Sequence, residues 1–270
     1  KNKIAEKSNQ DRMVVLEPVV KKYVFSRPLQ GDEAREVYNE VVGRARKDYK
    51  GVPAFDAYFK FNEETGLIEG SNTPYCILTN QVLAQQGLWL PTIQEAKLLD
   101  KQGKLSNGVY RGFGAVFYTP KSPNAEITKA IAKQAEKKEW NLPILASIKA
   151  LGMRKSRKFP EGLAITLKNS PAILTGDEAR EYIDNNFDYK GNSGARRINW
   201  LRGGGWVACW GRLDDSNSNG RVDWICGEAT RAELEEMVLD DIKKAGQREV
   251  TAINQKIDKA KKTTIKLLRS

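Results

Sequence analysis

The side chain that carries most proton-transfer, nucleophilic and metal chemistry is missing from this chain, whose 270 residues include no histidine. That excludes Ser-His-Asp triads, imidazole bases and His metal ligands together, so any catalysis must rest on carboxylates, Lys, Tyr, Cys or an added metal. Acids cluster twice: Asp32, Glu33 and Glu36, then Asp177, Glu178, Glu181 and Asp184. Paired carboxylates could hold magnesium for the hydrolysis of phosphate esters. The same acids in the first turn of a helix are also what the helix dipole favours. Asp215, Asn217, Asn219, Gly220 and Asp223 follow the spacing of a calcium loop, but Cys226 stands where the bidentate Glu belongs. Asn219-Gly220 reads equally as a hairpin turn.

Gly203-Gly204-Gly205 and Arg111-Gly112-Phe113-Gly114 both run into strand-like sequence. A phosphate cradle needs a helix N-terminus behind its glycines, so these runs point to bulges or close backbone approach. No metal site and no cofactor is expected. Three cysteines, Cys76, Cys209 and Cys226, are too few for a disulfide scaffold, which favours an intracellular, reducing compartment over secretion. If residues 205–213 and 221–226 form one hairpin, its register decides whether Cys209 faces Cys226; two buried thiols are the alternative.

The remaining chemistry is positive charge. The chain carries +11, and residues 100–168 hold 14 Lys and Arg against 5 acids. Lys104, Lys121, Lys129, Lys133, Lys137 and Lys138 would meet phosphates without reading sequence. Arg154, Lys155, Arg157 and Lys158 would add an exposed basic loop. Trp206 and Trp210 share one face by strand alternation and, with Arg202 nearby, could stack on bases; core packing is the competing role.

These residues are set out by an α+β pattern. Gly31-Asp32-Glu33-Ala34-Arg35-Glu36 returns as Gly176-Asp177-Glu178-Ala179-Arg180-Glu181, and Asp48-Tyr49-Lys50-Gly51 as Asp188-Tyr189-Lys190-Gly191. In the first unit, 29–90, Asp32 caps a helix, residues 57–61 and 67–68 form a hairpin, and a helix opens at Thr73-Pro74. In the second, 171–245, a helix begins at Asp177, residues 205–213 and 221–226 form the hairpin, and Thr230 caps the next helix. The fold class is therefore an internal duplication of a helix–β-hairpin–helix unit. A basic α/β middle segment, 91–170, joins the copies, with helices at 92–102 and 124–139 and strands at 108–118 and 162–167. Residues 142–151 could be strand or helix. An N-terminal extension with a possible strand fills 1–28. A long C-terminal helix runs from Thr230 to about Leu268, with 246–270 as its basic end and Val250, Ile253, Ile257, Ala260 and Thr264 in a narrow seam.

Two fragments, Leu90-Pro91-Thr92 after Tyr75-Cys76 and Leu201-Arg202-Gly203-Gly204-Gly205-Trp206, resemble lectin-like domains related to sulfatase-modifying factors. They cover little of the chain, lack that family's closing motif, and assign no residue a role.

No apolar run approaches the 18 residues of a membrane helix, so membrane insertion is not expected. The composition leads to a non-catalytic basic protein that binds nucleic acid or another polyanion without sequence specificity. Two alternatives remain: a particle or filament subunit that self-associates through the C-terminal helix, and a metal-dependent phosphoesterase using the acid clusters.

Overall fold

The computed structural model describes residues 24–105, 108–119, 125–157, 162–170, 172–187, 196–200, 205–209 and 213–228, with 239, 242–243, 246–259 and 261 of the C-terminal segment. Residues 24–228 form one compact unit, and 1–23 with 229–270 form another.

The larger unit is α+β. Its first half runs β1 (Val24–Pro28), α1 (Gly31–Asp48), a 3-10 turn (Pro53–Phe55), β2 (Lys60–Asn62), β3 (Leu67–Glu69), α2 (Thr73–Ala84), β4 (Leu88–Trp89) and α3 (Ile93–Lys101). Then follow β5 (Tyr110–Tyr118), α4 (Ala125–Lys137), β6 (Ile144–Ala146), a second 3-10 turn (Ile148–Ala150), β7 (Leu151–Lys155) and β8 (Leu163–Leu167). The last part is β9 (Ile173–Thr175), α5 (Gly176–Asn186), β10 (Arg196–Trp200), β11 (Trp206–Cys209), β12 (Gly220–Val222) and β13 (Trp224–Glu228).

α1 forms because Ala34, Val37, Val41 and Ala45 recur at helical spacing and are all buried. The cap expected at Asp32 is not made. The helix begins at Gly31, whose N–H donates to the Gly66 carbonyl at 2.8 Å, and Gln30 is the N-cap without a side-chain bond. Gly31 has φ +65, a conformation for which glycine carries no Cβ penalty. α2 is buried almost throughout, and its cap is Asn72, whose Oδ1 accepts from the Tyr75 N–H at 2.8 Å. α3 carries a full capping box, Thr92 with Glu95.

The main sheet is ordered β11-β10-β5-β12-β3-β2. β5 is its spine: β10 lies antiparallel on one edge, while β12, parallel, and β6, antiparallel, share the other, and β9 extends β6. Gly114 has φ +63 where the β5–β10 register shifts, and Gly112 passes so close to the Ser71 carbonyl that a Cβ would stand 2.8 Å from it. Those glycines therefore serve a bulge and a close approach. A second sheet is ordered β1-β13-β4, in which Val24 lies opposite Glu228. β7 and β8 form a separate hairpin.

Among the described residues the second hairpin expected from the sequence is not formed. β11 pairs with β10, β12 pairs with β3 and β5, and β13 pairs with β1 and β4. The segment between β11 and β12 is instead strapped to the start of α2. Thr73 N–H donates to the Leu213 carbonyl at 2.8 Å, Asn72 Nδ2 to the Asp214 carbonyl at 3.0 Å, and Ser71 N–H to Ser216 Oγ at 2.9 Å. These long-range bonds outweigh the local turn signal of Asn219-Gly220, and Gly220 is already the first residue of β12. The two GDEARE segments do share a setting: each starts a helix, α1 or α5, at a glycine with φ +65 or +60.

In the smaller unit, residues 246–259 are helical with Val250, Ile253 and Ile257 exposed; 239, 242–243 and 261 are helical too. The rest of the helix expected from Thr230, and most of the N-terminal extension, lie outside the described residues. No helix among the described residues is long and apolar enough to cross a membrane.

Candidate functional site

The basic residues picked from the sequence fall at several places. α4 buries Ile127, Ala130, Ile131 and Ala135, and its Lys129, Lys133 and Lys137 stand four residues apart on the exposed side. Lys138 follows, its Nζ 5.3 Å above the Trp140 ring. α4 lies against β8, where Gln134 brackets Leu167, donating to its carbonyl and accepting from its N–H, both at 2.8 Å. Arg154 and Lys155, expected in a loop, are on β7 opposite Ala164 and Leu163, and Arg157 follows just beyond; all three are exposed. The hairpin is largely buried, but its Arg154–Lys155 end is exposed, and long cations are tolerated there because their heads stay in water. The structure thus puts the middle of the basic segment on α4 and on β7, with β8 in contact with each.

Lys104 is exposed just after α3. Trp206 is half-buried, its ring centroid 5.4 Å from Phe113 and 6.1 Å from Phe187, and its indole N–H donates to Asp100 Oδ2 at 2.9 Å. It packs with Ala96 and Leu99 of α3, whereas the β7–β8 hairpin packs through Met153 and Leu163 with Tyr49, Val52 and Phe55. Lys121, Lys158, Arg202 and Trp210 lie outside the described residues.

A cleft overlooked in the sequence opens beside that hairpin. Its volume is about 580 Å³. One edge of α1 supplies Tyr38, Val42 and Arg46, its C-cap is Tyr49, the 50–57 turn supplies Lys50, Phe55 and Asp56, and Phe59 and Tyr75 close the floor. Phe59 and Tyr75 are buried and stacked, centroids 4.0 Å apart at 7°. Tyr38 stacks on Phe59 at 5.6 Å, Phe55 meets Tyr75 edge-on at 5.1 Å, and Tyr49 leans on Phe55 at 5.1 Å. Tyr75 donates its hydroxyl to the Phe55 carbonyl at 2.8 Å, which ties the turn to α2. Lys155 Nζ donates to the Lys50 carbonyl at 3.0 Å and so fixes β7 to the rim.

Burial pushes the Tyr75 phenol up to about 12, with Tyr38 and Asp56 adding to the rise and Arg46 opposing it. Burial and then Asp48 raise Tyr49. Both rings are therefore neutral near pH 7, and the cations of the rim face no phenolate. The available signal in the sequence was the density of aromatic residues, since Tyr38 and Tyr49 are eleven apart and return to the same face of α1.

The other candidate chemistry is occupied structurally. Asp223 of the calcium-like loop is buried against Arg111, accepting from Nε at 2.9 Å and from Nη2 at 2.7 Å. Asn217 Oδ1 accepts from the Asn219 N–H at 2.9 Å, closing an Asx turn. In the first acid cluster, Glu33 makes a two-pronged pair with Arg27. No group of three or more His, Cys, Asp or Glu that could hold a metal is present among the described residues.

Cys76 and Cys226 are free, buried thiols, both pushed up to about 12 by burial. A thiol in that state is protonated and is not a nucleophile. Cys226 pairs in the sheet with Ser26 and Trp89, while Cys209 pairs with Arg197, so the two cysteines do not face each other across a hairpin.

A buried polar knot lies where β10 meets the strap. Arg197 Nη1 donates to the Asp215 carbonyl at 2.6 Å, while its Nε, Asn199 Oδ1, Ser71 Oγ and Thr73 Oγ1 have no partner among the described residues. Comparison with protein-family models, with curated proteins and with solved structures finds no match to this chain.

Proposed function

We propose that this chain is a non-catalytic binding protein for polyanions, nucleic acid first, that grips phosphates without reading sequence. One observation carries the reading: Arg154, Lys155 and Arg157 stand exposed on and beside β7, with no ion pair among the described residues, while α4, packed against the neighbouring β8, exposes Lys129, Lys133 and Lys137, of which Lys129 pairs with Glu126 at 3.8 Å. Exposed cations of this kind supply the electrostatic part of nucleic-acid binding, and the hairpin and α4 both present them to solvent. Lys104, Lys121, Lys158 and Arg202 extend the charge in this proposal, and Trp206 and Trp210 are its second-rank contacts. The GDEARE helix starts of α1 and α5 fit a duplicated helix start, the part of the expected 29–90 and 171–245 repeat that recurs among the described residues.

The test is fluorescence anisotropy with short single- and double-stranded DNA and RNA at about 50 and 200 mM salt. Micromolar or tighter binding that weakens steeply with salt supports the proposal. No binding at the lower salt removes it.

A second reading, self-association as a particle or filament subunit, is favoured by the exposed Val250, Ile253 and Ile257 of the 246–259 helix. Their 3–4 spacing is that of a coiled-coil seam. Truncation before Gly246, followed by sedimentation, tests it: an oligomer that persists after the cut is evidence against this seam.

A further inference from the structure

We propose that the cleft between α1, the 50–57 turn and α2 receives a flat nucleobase, so that the protein prefers single-stranded over paired nucleic acid. This rests on the polyanion reading and adds a site to it.

The cleft is not simply a piece of core. In a core the rings would fill the space between them, yet about 580 Å³ stays open here, within the range of small-ligand pockets. The two floor rings, Phe59 and Tyr75, are already stacked on each other and buried, whereas Tyr38, Tyr49 and Phe55 are only half-buried and keep ring surface toward the opening. They are held firmly. Tyr49 is at the C-cap of α1, Phe55 is pinned by the hydroxyl of Tyr75, and Tyr38 leans on Phe59. Fixed half-exposed rings are a stacking platform, and stacking tolerates any base because every base has a π-face.

The rim decides the class of ligand. Arg46 and Lys50 line the opening, and neither forms an ion pair among the described residues. Lys155, bonded to the Lys50 carbonyl, brings the basic β7 to the same edge. Asp56 is the only acid among the lining residues. An aromatic interior with a cationic rim matches a nucleotide, ring inside and phosphates outside, better than a neutral or cationic aromatic ligand. Bases inside a duplex are stacked on one another and cannot enter, so the cleft discriminates between strands while the surface cations do not.

The test compares three oligonucleotides of equal length and charge by anisotropy: a single strand, the same strand with abasic tetrahydrofuran sites, and a hairpin duplex. Stacking one base corresponds to about a 5- to 150-fold gain in affinity. The wild-type protein should bind the base-bearing strand at least fivefold tighter than the abasic one, and Tyr49→Leu should remove that advantage while leaving duplex binding unchanged. The wild-type comparison needs no variant, so it decides even if Tyr49→Leu fails to fold. Equal affinity for base-bearing and abasic strands overturns the cleft and leaves the polyanion reading standing. Failure to bind any of the three overturns both.

Discussion

Neutralising the β7 cations gives the most direct quantitative prediction. Replace Arg154, Lys155 and Arg157 together by Gln. All three are exposed, and the one side-chain hydrogen bond that the described structure gives them is from Lys155 to the Lys50 carbonyl at 3.0 Å. A solvent-exposed bond of this kind contributes under about 1 kcal/mol, so the triple variant should fold and melt close to wild type. If each cation meets one phosphate, the variant makes three fewer phosphate contacts. On duplex DNA the slope of log K against log salt should then flatten by about 2.7, at roughly 0.9 per phosphate. Over a fourfold rise in salt that difference amounts to a factor of about 40; on a single strand, at roughly 0.7 per phosphate, it is about 20. The assay is anisotropy with one labelled strand, free and annealed, at three salt concentrations between about 50 and 200 mM, with a thermal melt of each protein. Parallel salt slopes for wild type and variant, with matching melts, would refute the assignment of these residues to phosphate.

Three further predictions concern the frame that holds the site. Arg111 and Asp223 are a nearly fully buried pair, so Asp223→Ala, which removes the carboxylate facing the guanidinium, should cost about 3–5 kcal/mol, or roughly 6–20 °C in melting temperature for a body of this size. Arg111→Met with Asp223→Leu should recover most of that loss; urea unfolding of the three variants checks it, and a double variant as unstable as the single would refute it. Asn72→Asp should destabilise by at least about 2 kcal/mol in the same assay, although Asp generally caps helices as well as Asn. Here the Asn72 amide nitrogen donates to the carbonyls of Ala54 and Asp214 at 2.7 and 3.0 Å, and Asp would oppose them with an oxygen. Finally, Cys76, Cys226 and Tyr75 all have folded-state pKa values of about 12, above their ordinary 9 to 10. The unfolded chain therefore releases these protons first: stability should be intact below about pH 9 and fall as pH rises toward 12. Mass-spectrometric mapping of iodoacetamide adducts at pH 8 should find Cys76 and Cys226 unmodified until denaturant is added.

The elements set by local periodicity were readable from sequence. The apolar spacing of Ala34, Val37, Val41 and Ala45 announces α1, and Asn62 to Gly66 is the turn of the β2–β3 hairpin, closed by the Gly66 N–H on the Asn62 carbonyl. α4 shows its buried and its basic side in the same way. What stayed hidden depends on partners far along the chain. Nothing near Gly220 announces that its strand will run parallel to β5, and nothing near Asn219 announces that the preceding segment is held by Ser71, Asn72 and Thr73, some 140 residues earlier. The cleft was hidden for a related reason: its rings come from a helix edge, a turn and a second helix, each of which reads as ordinary core when taken singly. Asn72, preceding a Pro-containing first turn, had the residue type of a cap, while attention to Asp32 followed charge rather than the backbone geometry at Gly31.

The pairing of Val24 with Glu228 has a practical side. Opposed residues of an antiparallel ladder have Cα atoms only about 4.5–5.5 Å apart, so the chain enters and leaves the 24–228 body at one point. A body with adjoining ends behaves like a plug-in cassette. It can be spliced into a surface loop of a host protein without stretching either, and a few glycines between residues 228 and 24 would close it into a ring. Reopening that ring at the exposed Glu63-Glu64 turn gives a permuted chain with every strand partner kept. If the permutant folds, the body's architecture is independent of the segments that flank it, and its binding can be measured without them.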